Sequence, residues 1–407
     1  MRITLLAEGY PPMSGGVATS ARRLAVELVR QGHEVTVLTF DNMHDITVPD
    51  LCVTEVDMGA RICRIGPFFL KNKSVSAKVG MLTEKHKAML RRRAFNQMLR
   101  ILENDRPDIL LSFYLFNAGF MAQLLANALG LPVVAGVRGN DIGRNIFDSE
   151  RFAAVRWTVD SADAVACVNR HLMERVLIAF PEVRDKVLIT KNGLLPEQFQ
   201  RCGNRAERRA GLVGRMGWDE RDLILNFTGS LREKKGVITL VRALTEVNRE
   251  RTHIRLMVTG PDLGKPERLM VGDLWERLKG RNIICLSGQV DRGSVPELVS
   301  ACDMACYPSN EDGMANGLLE SMALGLPSIV STIFDDVVTD GREGLVIPYD
   351  DEQRLVDAME QAYADREALA SMGQSAYETA STRFTAEDEA RTYIDLFSTI
   401  LEQRRVG

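Results

Sequence analysis

Short apolar runs rich in β-branched residues alternate along this chain with longer amphipathic segments. In the first half the runs are Arg2–Ala7, Glu34–Phe40, Pro107–Phe113, Pro132–Val137, Ala164–Val168 and Val187–Thr190. Each is bounded by Gly, Pro, Asp or Asn, as expected of strands buried on both faces of a parallel sheet. The segments between them carry helical periodicity, as in Ala18–Gln31, which Gly32 closes. The second half repeats the theme with Leu223–Thr228, Arg255–Val258, Asn282–Ser287, Met304–Tyr307, Pro327–Ser331 and Gly344–Pro348. Between the two sets lies a polar, Arg-rich, strand-poor stretch, Pro196–Arg221, which reads as a partly helical linker region. A last apolar helix, about Ala386–Gln403, follows the completed second set and could pack on either half.

Strand–helix alternation on this scale predicts an α/β protein of two Rossmann-like, doubly wound parallel-sheet domains with a cleft between them. The expected limits are residues 1–198 for the first domain, 199–385 for the linker and second domain, and 386–407 for a C-terminal helix that could return to the first. A length of 407 residues agrees, being too long for one typical core. Hydrophobic content of 45% and charged content of 26% are those of a soluble globular protein. A net charge of −4 argues against a surface built for polyanions, so nucleic acid is not an expected partner.

Seven scattered cysteines, with no CxxC pair, read as buried thiols of a reducing compartment. Five histidines, none spaced with cysteine as in a zinc finger, give no metal site. The amino terminus resembles a signal peptide only superficially, because Glu8 interrupts its apolar run; it reads better as a first buried strand. No stretch approaches the roughly 20 apolar residues of a membrane span. The expected location is cytoplasmic, with peripheral contact at the inner membrane face left open.

Open α/β sheets bind ligands beyond the carboxyl ends of their strands, so unusual residues just after strands are the candidates. Ser14-Gly15-Gly16-Val17 follows the first strand and opens a helix; Gly15 and Gly16 would let backbone amides approach a phosphate, or they make only a tight turn. Gly229-Ser230-Leu231-Arg232-Glu233-Lys234-Lys235-Gly236 follows the first strand of the second set. Its cations suit a diphosphate, Arg as a forked donor and Lys as a mobile point charge. The third candidate is Tyr307-Pro308-Ser309-Asn310-Glu311-Asp312-Gly313-Met314-Ala315-Asn316-Gly317-Leu318-Leu319-Glu320. A helix is expected to begin near Asn316 as N-cap, its first amides facing the ligand. Glu320, an acceptor-only group, could take both hydroxyls of a ribose, and Asp312 those of a sugar ring. One acid near a helix start would merely favour the dipole; two flanking a Gly loop fit ligand binding better.

With these residues in view the chain resembles the retaining glycosyltransferases of family 4 (glycosyl transferases group 1), which have the two-domain architecture called GT-B. The family signature PSxxEGxxxxxxLEAMAxGxPV is approached by Pro308-Ser309 and by Glu320-Ser321-Met322-Ala323-Leu324-Gly325-Leu326-Pro327, with Asp312 in place of the first glutamate. The resemblance implies that Asp312 contacts donor-sugar hydroxyls and that Met314, Ala315, Asn316 and Gly317 contact sugar and phosphate through backbone amides, with Gly313 beside them in the donor-binding set. It implies further that Glu320 holds the ribose and Lys235 the diphosphate. Gln289 and Val290 would lie near the base. Gly229, Ser230, Arg232, Gly15 and Gly16 complete the donor-binding set. Asn192-Gly193 matches a turn before the linker.

Three departures stand out. Asp312 is one methylene shorter than the usual glutamate, with Glu311 beside it as a fallback. Ser230 stands where a phosphate-binding arginine usually stands, and Arg232 could replace it. Val137-Arg138-Gly139-Asn140-Asp141 stands where many members have His-Gly-x-Asp, and Arg138 cannot serve as a base because it stays protonated. Retaining members are thought to let the leaving diphosphate take the acceptor proton, so positioning and charge stabilisation suffice. On this view Arg138, Asp141, Arg232, Lys235 and Asp312 are the catalytic candidates. No cofactor or metal is needed. Asp141 could equally be a plain helix start.

The implied function is transfer of a hexosyl group from a nucleotide-diphospho-sugar to a glycan, lipid-linked or small-molecule acceptor. The acceptor falls to the first domain. The basic segment from Glu84 through Arg91-Arg92-Arg93 to Leu102 could lie on anionic lipid, or could place Met89, Leu90, Phe95 and Leu99 in the core. The core reading is slightly favoured. The rivals are a nucleotide-sugar epimerase or a phosphorylase on the same architecture, and a non-catalytic sugar-nucleotide-binding module. An epimerase would lack the third loop's spacing. A phosphorylase would carry a lysine for pyridoxal phosphate, and none can be singled out.

Overall fold

The computed structural model describes residues 1–13, 15–40, 51–66, 84–199, 204–288 and 290–406. The chain forms two compact units, Met1–Asn192 with Ala386–Gly407, and Gly193–Thr385.

The first unit contains β1 (Arg2–Ala7), β2 (Glu34–Phe40), β3 (Leu51–Asp57), β4 (Ala60–Gly66), β5 (Ile109–Phe113), β6 (Val133–Val137), β7 (Ala164–Cys167) and β8 (Val187–Ile189). They form one sheet in the order β3-β4-β2-β1-β5-β6-β7-β8. All pairings are parallel except β3–β4, an antiparallel hairpin at the edge. That hairpin was not expected from the sequence. Its two-residue turn sets Met58 at φ 51° and Gly59 at φ 92°. Such a turn is normally announced by Asn-Gly or Asp-Gly, and methionine conceals it.

Successive residues of β1 face opposite sides of the sheet. Leu5 joins the core under the helix Gly16–Arg30, whereas Leu6 joins the core under the helices Glu84–Asp105 and Phe120–Leu129. In the basic helix Glu84–Asp105, Leu90, Ala94, Met98 and Leu102 are buried at steps of four, with Phe95 and Leu99 packed alongside. The core reading of that helix holds for Leu90, Phe95 and Leu99. Met89 is a correction: it turns outward at 37% exposure, one residue off the buried stripe.

The C-terminal helix Ala386–Val406 is part of the first unit. Ala390, Tyr393, Phe397 and Ile400, spaced three and four apart, join the Leu5 core. Arg23 and Glu389 form a buried ion pair of 2.9 Å between the first helix and this last one. Arg404 adds a bond to Asp163 at the helix end.

The second unit holds β9 (Leu223–Thr228), β10 (Ile254–Thr259), β11 (Ile284–Gly288), β12 (Met304–Tyr307), β13 (Ser328–Ser331) and β14 (Gly344–Ile347). The sheet is fully parallel in the order β11-β10-β9-β12-β13-β14. The Arg-rich stretch read as a partly helical linker does contain a helix, and that helix packs in this unit. Residues Arg205–Met216 form a helix whose Leu212 and Val213 pack with Trp218, Ile224 and Met257 in this unit's core. Its arginines hold the fold: Arg209 pairs with Asp303 at 2.8 Å and donates to the Asp222 carbonyl, and Arg205 donates to the Cys302 carbonyl.

Both strand orders reverse direction once, between β1 and β5 in the first sheet and between β9 and β12 in the second. Crevices for ligands arise at such reversals, where neighbouring loops leave in opposite directions.

Candidate functional site

At the second reversal, β9 ends at Thr228 and the chain passes through Gly229 (φ 133°) and Ser230 to a short turn, Glu233–Lys235. Gly236 follows at φ 70° and opens the helix Val237–Val247. A Cβ on Gly236 would lie 1.8 Å from the Pro308 carbonyl oxygen, so only glycine allows the loops after β9 and β12 to approach this closely. The Lys234 carbonyl accepts the N–H groups of Asn310 and Glu311, each at 3.0 Å, and locks the two loops together.

This lock places Lys235 Nζ 3.5 Å from Asp312 Oδ2, with the two side chains 19% and 14% exposed. Asp312 Oδ1 accepts the Gly313 N–H at 2.8 Å. Glu311 Oε1 and Asp312 Oδ2 are buried without a hydrogen-bond partner. Carboxylate oxygens out of water and short of donors are costly, and they can accept hydroxyls.

The helix Asn316–Ala323 begins one residue earlier than expected, and its N-cap is Ala315, which offers no side-chain bond. Asn316 is therefore the first helical residue rather than the cap. Gly317 is required because a Cβ there would sit 2.6 Å from the Tyr307 hydroxyl. Met314 and Ala315 are buried. Glu320 is half-buried, and Gln198 Nε2 donates to its Oε1 at 3.4 Å. Gln198 in turn accepts the Leu195 N–H. Sequence reasoning missed Gln198, which lay inside the supposed linker.

Arg232 is exposed and directs Nη1 toward Gly264, in the loop after β10. Val290 is half-buried just beyond β11, and Gln289 lies outside the described residues. Lys235, Asp312 and Glu320 thus all follow β9 or β12, while Arg232 leans toward the β10 loop.

In the first unit Gly15 (φ 143°) and Gly16 are exposed where the helix Gly16–Arg30 begins, just beyond β1. Arg138 and Asp141 both face the interior. The Arg138 guanidinium stacks 3.2 Å from the Phe113 ring centroid and donates to Asn192 Oδ1 at 2.8 Å and to the Tyr393 hydroxyl at 3.0 Å. Burial lowers its pKa. Asp141 is fully buried and accepts the N–H groups of Leu115 at 2.9 Å and Arg138 at 2.6 Å. Burial raises its carboxyl to about 7, outweighing the two backbone donors. Both residues organise the chain after β5 and β6.

Sequence reasoning also passed over Glu8, taken only as the end of an apolar run. It stands directly beyond β1, at the first reversal, and accepts a 2.9 Å bond from Asn117 Nδ2 beyond β5. Between β5 and Asn117, Tyr114 takes φ 91° and residues Leu115–Gly119 form a π-helical turn. A bulky residue held at positive φ costs on the order of 1–3 kcal/mol and persists only where its surroundings enforce it.

Residues 213–379 match the family model described as glycosyl transferases group 1, and residues 15–193 match the one described as glycosyl transferase 4-like domain. The chain is 27% identical over 340 residues to an uncharacterized glycosyltransferase of Methanocaldococcus jannaschii, covering 82% of this chain and 81% of that one. Among solved structures it is similar to a sucrose-phosphate synthase from Thermosynechococcus elongatus, with a TM-score of 0.77 at 18% identity over 99% of each chain. It is also similar to HepE of Anabaena in complex with UDP-glucose, with a TM-score of 0.72 at 14% identity over 98% of this chain and 100% of that one.

Proposed function

From a chain that belongs to the group 1, family 4 glycosyltransferases and has the GT-B fold, we propose an enzyme that moves a hexosyl group, with retention, from a nucleotide-diphospho-sugar to a glycan, lipid-linked or small-molecule acceptor. The observation that carries this reading is the Lys235–Asp312 pair at the second reversal, beside the buried, donor-deficient oxygens of Glu311 and Asp312. Lys235 supplies positive charge to the diphosphate, Asp312 accepts hydroxyls of the sugar, and Glu320, steadied by Gln198, accepts the ribose diol. Arg232, the nearest arginine to Ser230 in sequence, contributes a second cation. The UDP-glucose held by the similar HepE structure supports a donor of this class.

In the reaction the bond between the anomeric carbon and the diphosphate oxygen breaks. The acceptor oxygen forms its new bond on the same face, and its proton passes to the departing phosphate. The protein's task is orientation and stabilisation of the charge that develops on that phosphate. Lys235 and Arg232 provide this charge in a scheme that asks for no metal or cofactor. No described helix is long and apolar enough to cross a membrane. We assign the acceptor to the first unit and the reaction to the cytoplasm. The exposed Arg91, Arg92 and Arg93 would supply any contact with an anionic membrane face.

The test is thermal unfolding against a panel of nucleotide-diphospho-sugars. A donor at 100 times its dissociation constant adds about 2.7 kcal/mol of stability. One donor class should raise the melting temperature, and Glu320→Ala should abolish the rise. A rise that survives Glu320→Ala removes the ribose assignment. Ser230 in place of arginine favours a second reading, a binding module without activity. Release of free sugar from the bound donor above background eliminates that alternative.

A further inference from the structure

The turn that carries Lys235 is held on its other side by the loop after β10. Gly229 donates its N–H to the Thr259 carbonyl at 2.9 Å, and a Cβ on Gly260 would lie 2.1 Å from the Gly229 carbonyl oxygen, so the two loops run in contact. The helix Lys265–Gly280 leaves the β10 loop with Glu267 in its first turn. Glu267 is buried, and its Oε1 accepts the Glu233 N–H at 3.2 Å, at the entry of the turn Glu233–Lys235. Its Oε2 is also buried and has no hydrogen-bond partner among the described residues. A buried carboxylate oxygen without a donor is costly, and Gly264 shows which donor stands beside it. The Gly264 backbone, at φ −69° and ψ 167°, is open to any residue, so its conformation does not call for glycine. Its side is filled instead: a Cβ would lie 2.5 Å from Glu267 Oε2 and 3.3 Å from Arg232 Nη1. The unpaired carboxylate oxygen and the arginine converge on one point, and a rotation of the exposed Arg232 side chain joins them.

We propose that Glu267 is a positioning residue for the donor diphosphate, acting through Arg232. One edge of the guanidinium rests on Glu267 Oε2, and the opposite edge is left to grip a phosphate oxygen. A free arginine loses rotamer entropy whenever it is immobilised on a ligand. Glu267 removes part of that loss beforehand, which is preorganisation in its simplest form. The pairing also explains how Arg232 can serve although it stands two residues beyond Ser230. It rests on the transferase reading for the presence of a diphosphate, and extends that reading to a residue of the β10 side.

The test is a double-mutant cycle on the full chain, read by titration calorimetry with UDP, GDP, ADP and dTDP and with the corresponding monophosphates. The variants are Glu267→Gln, Arg232→Ala and the two combined. Glu267→Gln keeps an oxygen for the Glu233 N–H, so the turn survives while the charge is lost. One diphosphate should bind the unsubstituted chain more tightly than its monophosphate. Glu267→Gln should weaken that diphosphate about tenfold, roughly 1.4 kcal/mol, and change the monophosphate by less than about twofold. In the Arg232→Ala chain the same substitution should change diphosphate affinity by less than about twofold, since the residue it acts through is gone. Gly264→Ala, whose methyl group falls between carboxylate and guanidinium, should reproduce the diphosphate loss. The proposal is overturned if Glu267→Gln keeps full diphosphate affinity, if it weakens monophosphate equally, or if the two losses add in the double variant. A diphosphate that binds while the cycle is additive removes Glu267 and leaves the transferase reading standing. If no diphosphate binds the unsubstituted chain, the donor reading fails and takes this proposal with it.

Discussion

Lys235 and Asp312, 77 residues apart in the chain, hold their charged atoms 3.5 Å apart because the loops after two neighbouring parallel strands converge. Neither side chain is more than a fifth exposed, so the pair is only partly screened by water. Lys235→Ala should lower the transfer rate about 10²-fold, the usual cost of one preorganised charge-stabilising donor. The melting temperature without ligand should barely move. Single-turnover kinetics with a saturating donor provide the check, and a rate within threefold of the original would remove Lys235 from the chemistry.

Gly236 makes that convergence possible. Gly236→Ala introduces a Cβ 1.8 Å from the Pro308 carbonyl at a φ of 70°. The expected loss is about 2–5 kcal/mol, from the left-handed backbone and the overpacking together. Urea unfolding measures it, and donor-induced stabilisation should weaken in parallel because the Asp312 loop must retreat.

Asp141 gives the first unit a distinctive pH dependence. Its carboxyl is raised to about 7 in the folded state, from an ordinary value near 4 in the unfolded chain. Between these values the folded state holds a proton that the unfolded state has lost, so this group's contribution to stability is full below pH 4, declines as pH rises and is lost above about 7. Comparing the unsubstituted chain with Asp141→Asn should show their stability difference drifting against the unsubstituted chain from pH 4 to 7 and levelling beyond. A pH-independent difference would show that Asp141 stays ionised when folded.

The C-terminal helix is anchored by charge as well as by apolar packing. Glu389→Ala removes the carboxylate that pairs with the Arg23 guanidinium, which is only 4% exposed. Removing one partner of a buried pair costs about 3–5 kcal/mol. Replacing both residues with leucine should recover much of that loss, and denaturant titration of the two variants makes the comparison.

Met58 predicts a gain. At φ 51° it occupies the first position of a turn that favours asparagine. Met58→Asn should stabilise the β3–β4 hairpin by about 1 kcal/mol, measured as slower amide exchange across the Val53–Arg64 and Glu55–Ile62 pairings.

Much of this architecture is written locally. The twelve apolar runs read from the sequence all became strands, because a strand buried on both faces must be apolar throughout and end at a polar or turn residue. The loops bearing Lys235, Asp312 and Glu320 were legible for the same reason, standing directly after such runs. The hairpin β3–β4 was not, since Glu55, Arg61 and Arg64 interrupt its strands, β3 is largely exposed, and its turn carries Met58 rather than Asn. The helix Arg205–Met216 was read only as part of a linker, because its arginines look solvated in sequence but bond the Asp303 carboxylate and the Asp222 and Cys302 carbonyls.

Sequence alone therefore determined twelve of the fourteen described strands, that there are two sheets, and which loop residues stand at strand ends, because each is a property of neighbouring residues. Only tertiary structure decided what Arg138, Asp141, Glu8 and the C-terminal helix do. Arg138 and Asp141 occupy a motif-like position beyond β6, yet their side chains turn inward to Tyr393, Asn192 and the Leu115 amide. Glu8 acquires its partner 109 residues later, and Glu389 its partner 366 residues earlier. Burial and pairing depend on what the rest of the chain brings to a residue, and no local pattern records that.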